Sequence, residues 1–393
     1  MDFDAASIIA EAEAATGVTD TETAVRANLD RLIASLKHEF PTTPEGQAWI
    51  RRSFVGDTIH RLEALKWVSD FPEIAEEPVT APVFLMGLPR SGTTFFQYLF
   101  DRDERFRLIR TWQSTAPSPP PGFDPESVGR RKAQWLERRK AEPMFEGFDA
   151  MHLIDADGSD ECHALLAQSF GGVGLNNLYR VPSYFDYLLD EADLAETYRV
   201  HKRQLQLLQW KLERKPWALK YPNHVIAIDA ILKVYPDARF VQTHRDPVQT
   251  LASIAKLTAN LRAMRSAAPI DPLEVGKDML YFIQRHIDRI LETDRSAHGD
   301  RIFHVDFYAL SADPVGQMRL IHEAIGIDTP APVADAVAAW HAANPKNSRG
   351  VNDYALEQYG LDQAAVADQF GDYIRRFEIP REAVGIARMG ANA

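Results

Sequence analysis

The segment Gly87-Leu-Pro-Arg-Ser-Gly-Thr-Thr94 places two glycines five residues apart around one cation, Arg90, and follows them with two threonines. Glycines so spaced let a loop wrap its backbone N–H groups around an anion and aim a helix N-terminus at it. A nucleoside-triphosphatase loop would end in Gly-Lys-Ser/Thr. Here Thr93 stands in the lysine's place, and the cation lies inside the loop. The chemistry these residues suit is the holding of a phosphate-like anion, with Gly87, Pro89, Arg90, Ser91, Gly92, Thr93 and Thr94 as candidate contacts. A second stretch, His244-Arg-Asp-Pro-Val-Gln-Thr-Leu-Ala-Ser253, also leads from an apolar run into a helical pattern. Arg245 would sit at the C-terminal end of a strand, where α/β sheets place ligands. It is either a second phosphate contact, with Ser253 eight residues on, or a helix-start arginine ion-paired to Asp246 or another acid.

Other chemistries fail on spacing. Asp155-Ala-Asp157-Gly-Ser-Asp160 begins like a calcium loop, but Asp160 stands where the turn needs glycine and Leu166 where the loop needs glutamate. The twelve histidines include no HExxH pair, and no G-x-S-x-G elbow occurs. The single cysteine, Cys162, excludes an intrachain disulfide and any multi-cysteine zinc site. No metal is expected.

The two loops need strands before them and helices after them. Residues 82–87, PVFLMG, form a short apolar run suited to a buried parallel strand, and Thr94 to Phe100 reads as the helix after it. Further strands are expected at 217–219, 239–243 and 301–305, with helices at 225–234 and after Pro247. A long amphipathic helix is expected at 194–212, and Ser159 is placed to cap one running through Ala164, Leu165, Leu166 and Phe170. Residues 117–125, PSPPPGFDP, form a stiff loop, and a charged helix over 126–142 ends at Pro143. Strands alternating with helices imply an α/β fold of three layers around a central parallel sheet, containing a P-loop.

Residues 1 to about 78 carry helical periodicity alone, with Thr43 and Pro44 as a helix start. The expected organisation is an N-terminal helical extension over 1–80 and a main domain over 81–393, with an acceptor-side insertion at about 111–190. Across all 393 residues, 45% hydrophobic and 25% charged residues suffice for a large core. A net charge of −12 disfavours nonspecific nucleic-acid binding. No stretch is long and apolar enough for a membrane span, and the acidic N-terminus is unlike a signal peptide. A cytoplasmic protein is expected.

Together the two loops resemble those of the sulfotransferases that use PAPS (3′-phosphoadenosine 5′-phosphosulfate), in the bacterial branch with an N-terminal helical extension. The first is similar to that family's 5′-phosphosulfate loop, and Arg245 with Ser253 to its 3′-phosphate clamp. Leu219-Lys-Tyr-Pro-Asn-His224, Tyr235-Pro-Asp-Ala-Arg-Phe-Val241, Asp306 and Tyr354-Ala-Leu-Glu-Gln-Tyr-Gly-Leu361 extend the resemblance over most of residues 1–375. It implies in-line transfer of a sulfuryl group from PAPS to a hydroxyl of a small-molecule acceptor, leaving 3′,5′-ADP, without a metal. It implies that Lys220 and Arg90 neutralise charge at the reacting group, and that Lys346 and Arg349 close over the 3′-phosphate.

The general base stays open. Some relatives carry a glutamate where this chain has Gln113, and an amide cannot take the proton. Glu161 is the preferred substitute, His224 the second, and His152 or His163 remain. The segment 111–185 is expected to roof the acceptor pocket and offers Trp112, Phe123, Met144, Phe145, Phe148 and Tyr184, but aromatic and Met side chains of this kind are more often core than ligand contacts, so none is assigned to the acceptor. The rival readings are a P-loop phosphotransferase using ATP, which the missing lysine disfavours, and a non-catalytic PAPS-fold binding protein.

Overall fold

A computed structural model describes residues 3–141, 155–344 and 355–391. Four parallel strands, β1 (Val83–Gly87), β2 (Ala218–Lys220), β3 (Arg239–His244) and β4 (Ile302–Asp306), form one sheet in the order β2-β1-β3-β4. Leu85 lies opposite Lys220 on one side and Val241 on the other. All five residues of β1 are buried. Its alternate side chains feed two cores: Phe84 and Met86 join the large one, and Val83 and Leu85 the smaller one on the other face. This double burial is why the strand reads as a continuous apolar run rather than an alternation.

The N-terminal segment is helical, as its periodicity requires. Helices α1 (Ala5–Thr16), α2 (Thr23–Glu39) and α3 (Pro44–Asp70) bury Ile8, Leu29, Leu32, Ile33 and Leu36 in the same cluster as Phe84. Thr43 caps α3 by accepting from the Gly46 N–H, with Pro44 in the first turn. Arg61 on α3 donates to both oxygens of Asp20, at 2.9 and 2.7 Å, and to Glu22 at 2.6 Å. Both Arg61 and Asp20 are buried. Burial raises the Asp20 pKa, but the hydrogen bonds and charge of Arg61 more than offset this and hold it below the usual range.

Four elements differ from the sequence reading. The helix expected from Ser159 is a single turn, His163–Ala167, with Cys162 before it. Ser159 instead pairs with Arg110 in an antiparallel bridge, and Phe170 takes a positive φ of 55° that ends any helical run. The helix expected at 225–234 divides into a 3-10 turn, Pro222–Ile226, and a helix, Ile228–Val234, because Ala227 between them leaves helical geometry at φ −125°. The long helix after Asp193 stops at Gln209, with Lys211 at φ 62°. Trp217 lies just outside β2, whose first residue is Ala218. Among the described residues, no helix is long and apolar enough to cross a membrane.

Candidate active site

The first loop runs from the end of β1 into the helix Thr93–Phe100. Its glycines are required sterically. A Cβ on Gly87 would lie 2.6 Å from the Thr243 carbonyl oxygen, and one on Gly92, at φ 91°, would lie 2.3 Å from the Phe307 ring. Arg90 also has left-handed backbone, φ 72°. A non-glycine residue is held there at a cost in backbone strain. The Ser91 hydroxyl is fully buried and lies 2.9 Å from Thr243 Oγ1 at the end of β3. It pins the loop to the sheet rather than facing the cavity.

The second loop leaves β3 and enters the helix Pro247–Ala263, capped by Asp246. The two loops touch. Arg90 Nε donates to Ser253 Oγ at 3.0 Å, and Arg245 Nη1 donates to the Arg90 carbonyl at 3.4 Å. Arg245 also forks onto a carboxylate, though not that of Asp246. Its Nε and Nη2 donate to Glu382 at 3.1 and 2.6 Å. Burial works against its charge, but Glu382 outweighs this and holds the guanidinium protonated.

A third set converges from β2 and the segment after Gly158. Lys220 is buried, and its Nζ lies 3.2 Å from Thr94 Oγ1 and 3.2 Å from Glu161 Oε1. Asp160, beside Glu161, accepts from the Ser114 hydroxyl at 2.6 Å. Burial raises its pKa, and the hydrogen bonds from Ser114 and the Glu161 N–H only partly offset this. His163 Nδ1 lies 3.4 Å from the Tyr221 hydroxyl, which accepts from the Gly174 N–H at 2.9 Å. Burial pushes the His163 pKa down, so its ring is neutral near pH 7.

These groups share one cavity of about 660 Å³. Pro89, Arg90, Gly92, Thr93, Thr94, Glu161, Lys220 and Arg245 line it, as do Asp160, Ser114, His163 and Asn177. Its far wall is apolar: Ala164, Leu178, Ile254, Leu257 and Leu261. His224 is not part of it. That ring is fully buried against Phe84, with Nδ1 2.7 Å from the Tyr198 hydroxyl, and burial pushes its pKa well below the ordinary value. Its adjacency to Lys220 in sequence misleads, because the turn after Tyr221 sends its side chain into the core.

The described Trp, Tyr and Phe residues of the segment 111–185 pack against other parts of the protein rather than line the cavity. Trp112 is buried beneath Arg131, Phe123 packs on Trp210 and Trp67, and the Tyr184 hydroxyl donates to the Phe170 carbonyl. The segment lines the cavity through Ser114, Asp160, Glu161, His163, Asn177 and Leu178. Gln113 spends its side-chain oxygen on the Arg110 N–H. Lys346, Arg349, Met144, Phe145, Phe148 and His152 lie outside the described residues. Sequence reasoning overlooked Asn177 and the wall from the helix Pro247–Ala263. Ile254, Leu257 and Leu261 do carry a signal, since their i, i+3, i+7 spacing marks one helix face. Among the described residues, no group of acids, histidines and cysteines could hold a metal.

A parallel sheet with a glycine loop at the end of its first strand, touching a second loop from the neighbouring strand, is the arrangement of P-loop-like α/β proteins. Within that class the chain belongs to the sulfotransferase family, whose model matches residues 82–331. It is similar to the crystal structure of sulfotransferase STF9 from Mycobacterium avium, with a TM-score of 0.88 and 29% identity, covering 97% of this chain and 100% of that one. Sulfotransferase STF1 from Mycobacterium tuberculosis H37Rv superimposes with a TM-score of 0.81 and 28% identity over 93% and 98% of the chains. The omega-hydroxy-beta-dihydromenaquinone-9 sulfotransferase Stf3 of Mycobacterium tuberculosis is 24% identical over 322 residues, 78% of each protein.

Proposed function

We propose that this sulfotransferase takes its sulfuryl group from PAPS and delivers it to the hydroxyl of a small-molecule alcohol with an apolar body. The observation that carries this reading is the direct contact of the two anion loops, Arg90 to Ser253 at 3.0 Å, at a cavity that also receives Lys220 and Glu161. The residues suit a donor with two anionic ends. One end would meet the loop of Gly87, Pro89, Arg90, Gly92, Thr93 and Thr94 and the N-terminus of the helix it opens. The other would meet Arg245 beside Ser253. When bound, the donor supplies an activated sulfuryl group and a phosphate leaving group.

Lys220 is held by Thr94 and Glu161, so its ammonium is fixed before reaction. Preorganised cations of this kind stabilise charge that develops in a transition state. Glu161 is the proposed base. A carboxylate there can accept a proton, and it faces the cavity 3.2 Å from Lys220 Nζ. As Glu161 takes the acceptor's proton its own charge is neutralised, and the fixed ammonium of Lys220 is left to serve the developing charge. His163, neutral and facing the same cavity, is the second candidate. The wall of Ala164, Leu178, Ile254, Leu257 and Leu261 would carry the acceptor's apolar part. The name of the Stf3 relative places a hydroxyl on its own acceptor.

The test is transfer of labelled sulfur from PAPS to a series of primary alcohols of growing alkyl length, with and without EDTA. Transfer that strengthens with chain length and survives EDTA is expected. No transfer to any alcohol, or magnesium-dependent phosphoryl transfer from ATP, would refute the proposal.

A further inference from the structure

The Arg245–Glu382 pair joins the second anion loop to the C-terminal helix, Glu382–Ala391. The carboxylate engages Nε and Nη2 together, the edge of the guanidinium that a bidentate oxyanion uses. Phe307 covers the flat face of the same group, 4.6 Å from its central carbon to the ring centre. A second anion therefore cannot take that edge while Glu382 holds it.

The fastening is mostly polar. The Tyr308 hydroxyl donates to the Glu382 carboxylate, the Glu382 N–H donates to Asp246 at 2.9 Å, and Arg381 pairs with Asp246 at 3.3 Å. Gly385 packs against the Tyr308 ring, where a Cβ would lie 2.5 Å from ring carbons. Val384 and Ile386, by contrast, are 50% and 45% exposed. The helix thus turns two of its large apolar side chains outward. An element with few buried apolar contacts opens at low free-energy cost.

We propose that this helix is a latch on the donor site, in which the Glu382 carboxylate takes the place at Arg245 that the nucleotide's 3′-phosphate takes on binding. The inference rests on the PAPS reading above. The exchange replaces one anion by another, so the half-buried Arg245 is never left without a counter-charge. A nucleotide lacking the 3′-phosphate has nothing to offer Arg245 in exchange and leaves the latch closed. The latch therefore makes opening of this helix specific to 3′-phosphorylated nucleotides.

The test compares the full-length protein with Glu382→Gln by calorimetric titration of 3′,5′-ADP and of 5′-AMP. Apparent affinity falls with the fraction of molecules that are binding-competent, so a latch closed about nine-tenths of the time predicts about tenfold tighter 3′,5′-ADP in the variant. Binding of 5′-AMP should not change. Hydrogen exchange on the unaltered protein gives a second measurement, independent of how the variant folds. Amides of residues 382–391 should exchange faster with 3′,5′-ADP bound and not with 5′-AMP. Weaker or equal 3′,5′-ADP binding by Glu382→Gln, or unchanged protection of the helix, would overturn the latch while leaving the donor reading intact. Failure of both proteins to bind 3′,5′-ADP would overturn the donor reading and the latch with it.

Discussion

Replacing Glu161 by glutamine keeps the side chain's size and its ability to accept a hydrogen bond from Lys220, and removes its ability to take a proton. Positioned bases contribute about 100-fold or more to rate, so kcat should fall by at least that factor, about 2.7 kcal/mol in barrier. The fold should survive. The Glu161 side chain is 28% exposed while Lys220 is buried, so the Lys220 ammonium would then rest on the glutamine oxygen and on Thr94 Oγ1, 3.2 Å away. Affinity for 3′,5′-ADP should also hold, because Glu161 reaches the cavity from the segment after Gly158 rather than from either loop. The assay is steady-state sulfuryl transfer across pH, paired with titration of 3′,5′-ADP. The acidic limb of the pH–rate profile should vanish with the carboxylate. Near-native turnover with an unchanged profile would refute the assignment and move the base to His163. Loss of 3′,5′-ADP binding in parallel with kcat would show that Glu161 acts by holding Lys220.

Two further substitutions test the scaffold. Gly92→Ala forces a Cβ to within 2.3 Å of the Phe307 ring at φ 91°, so it should abolish 3′,5′-ADP binding while the far-UV circular dichroism stays native. Arg61→Met leaves Asp20 buried without its partner and should cost about 3–5 kcal/mol in urea unfolding at pH 7. Because Asp20 is held below its unfolded pKa, its pairing contributes stability above the carboxylate range and loses it as pH falls through the lower folded value. The gap between the two proteins should therefore narrow toward pH 3, and a constant gap would contradict the pairing.

The strands were legible because each is a short apolar run, and the first loop because its glycines and single arginine suit an anion; the second loop left Arg245 with two readings. Gly87 and Gly92 signal a loop in which side chains have no room, and the structure supplies the obstructing atoms, Thr243 and Phe307. The N-terminal helices were legible from periodicity alone. What sequence could not give was direction. Tyr221 and His224 are neighbours in one motif, yet Tyr221 lines the cavity and His224 points into the core. Trp112 and Tyr184, large and aromatic, could not be assigned to core or acceptor from sequence, and the structure buries both. The Glu382–Arg245 pair spans 137 positions in the chain, and no local pattern announces it.

The most direct test of the account is thermal denaturation with 3′,5′-ADP, 5′-AMP and magnesium-ATP, on the native protein and on Arg245→Ala. A ligand at a hundredfold excess over its Kd adds about 2.7 kcal/mol of stability. The account predicts that 3′,5′-ADP raises the Tm most, that ATP raises it little, and that Arg245→Ala loses the 3′,5′-ADP increment while keeping that of 5′-AMP. A larger shift with magnesium-ATP, or equal loss of both adenosine nucleotides in Arg245→Ala, would contradict it.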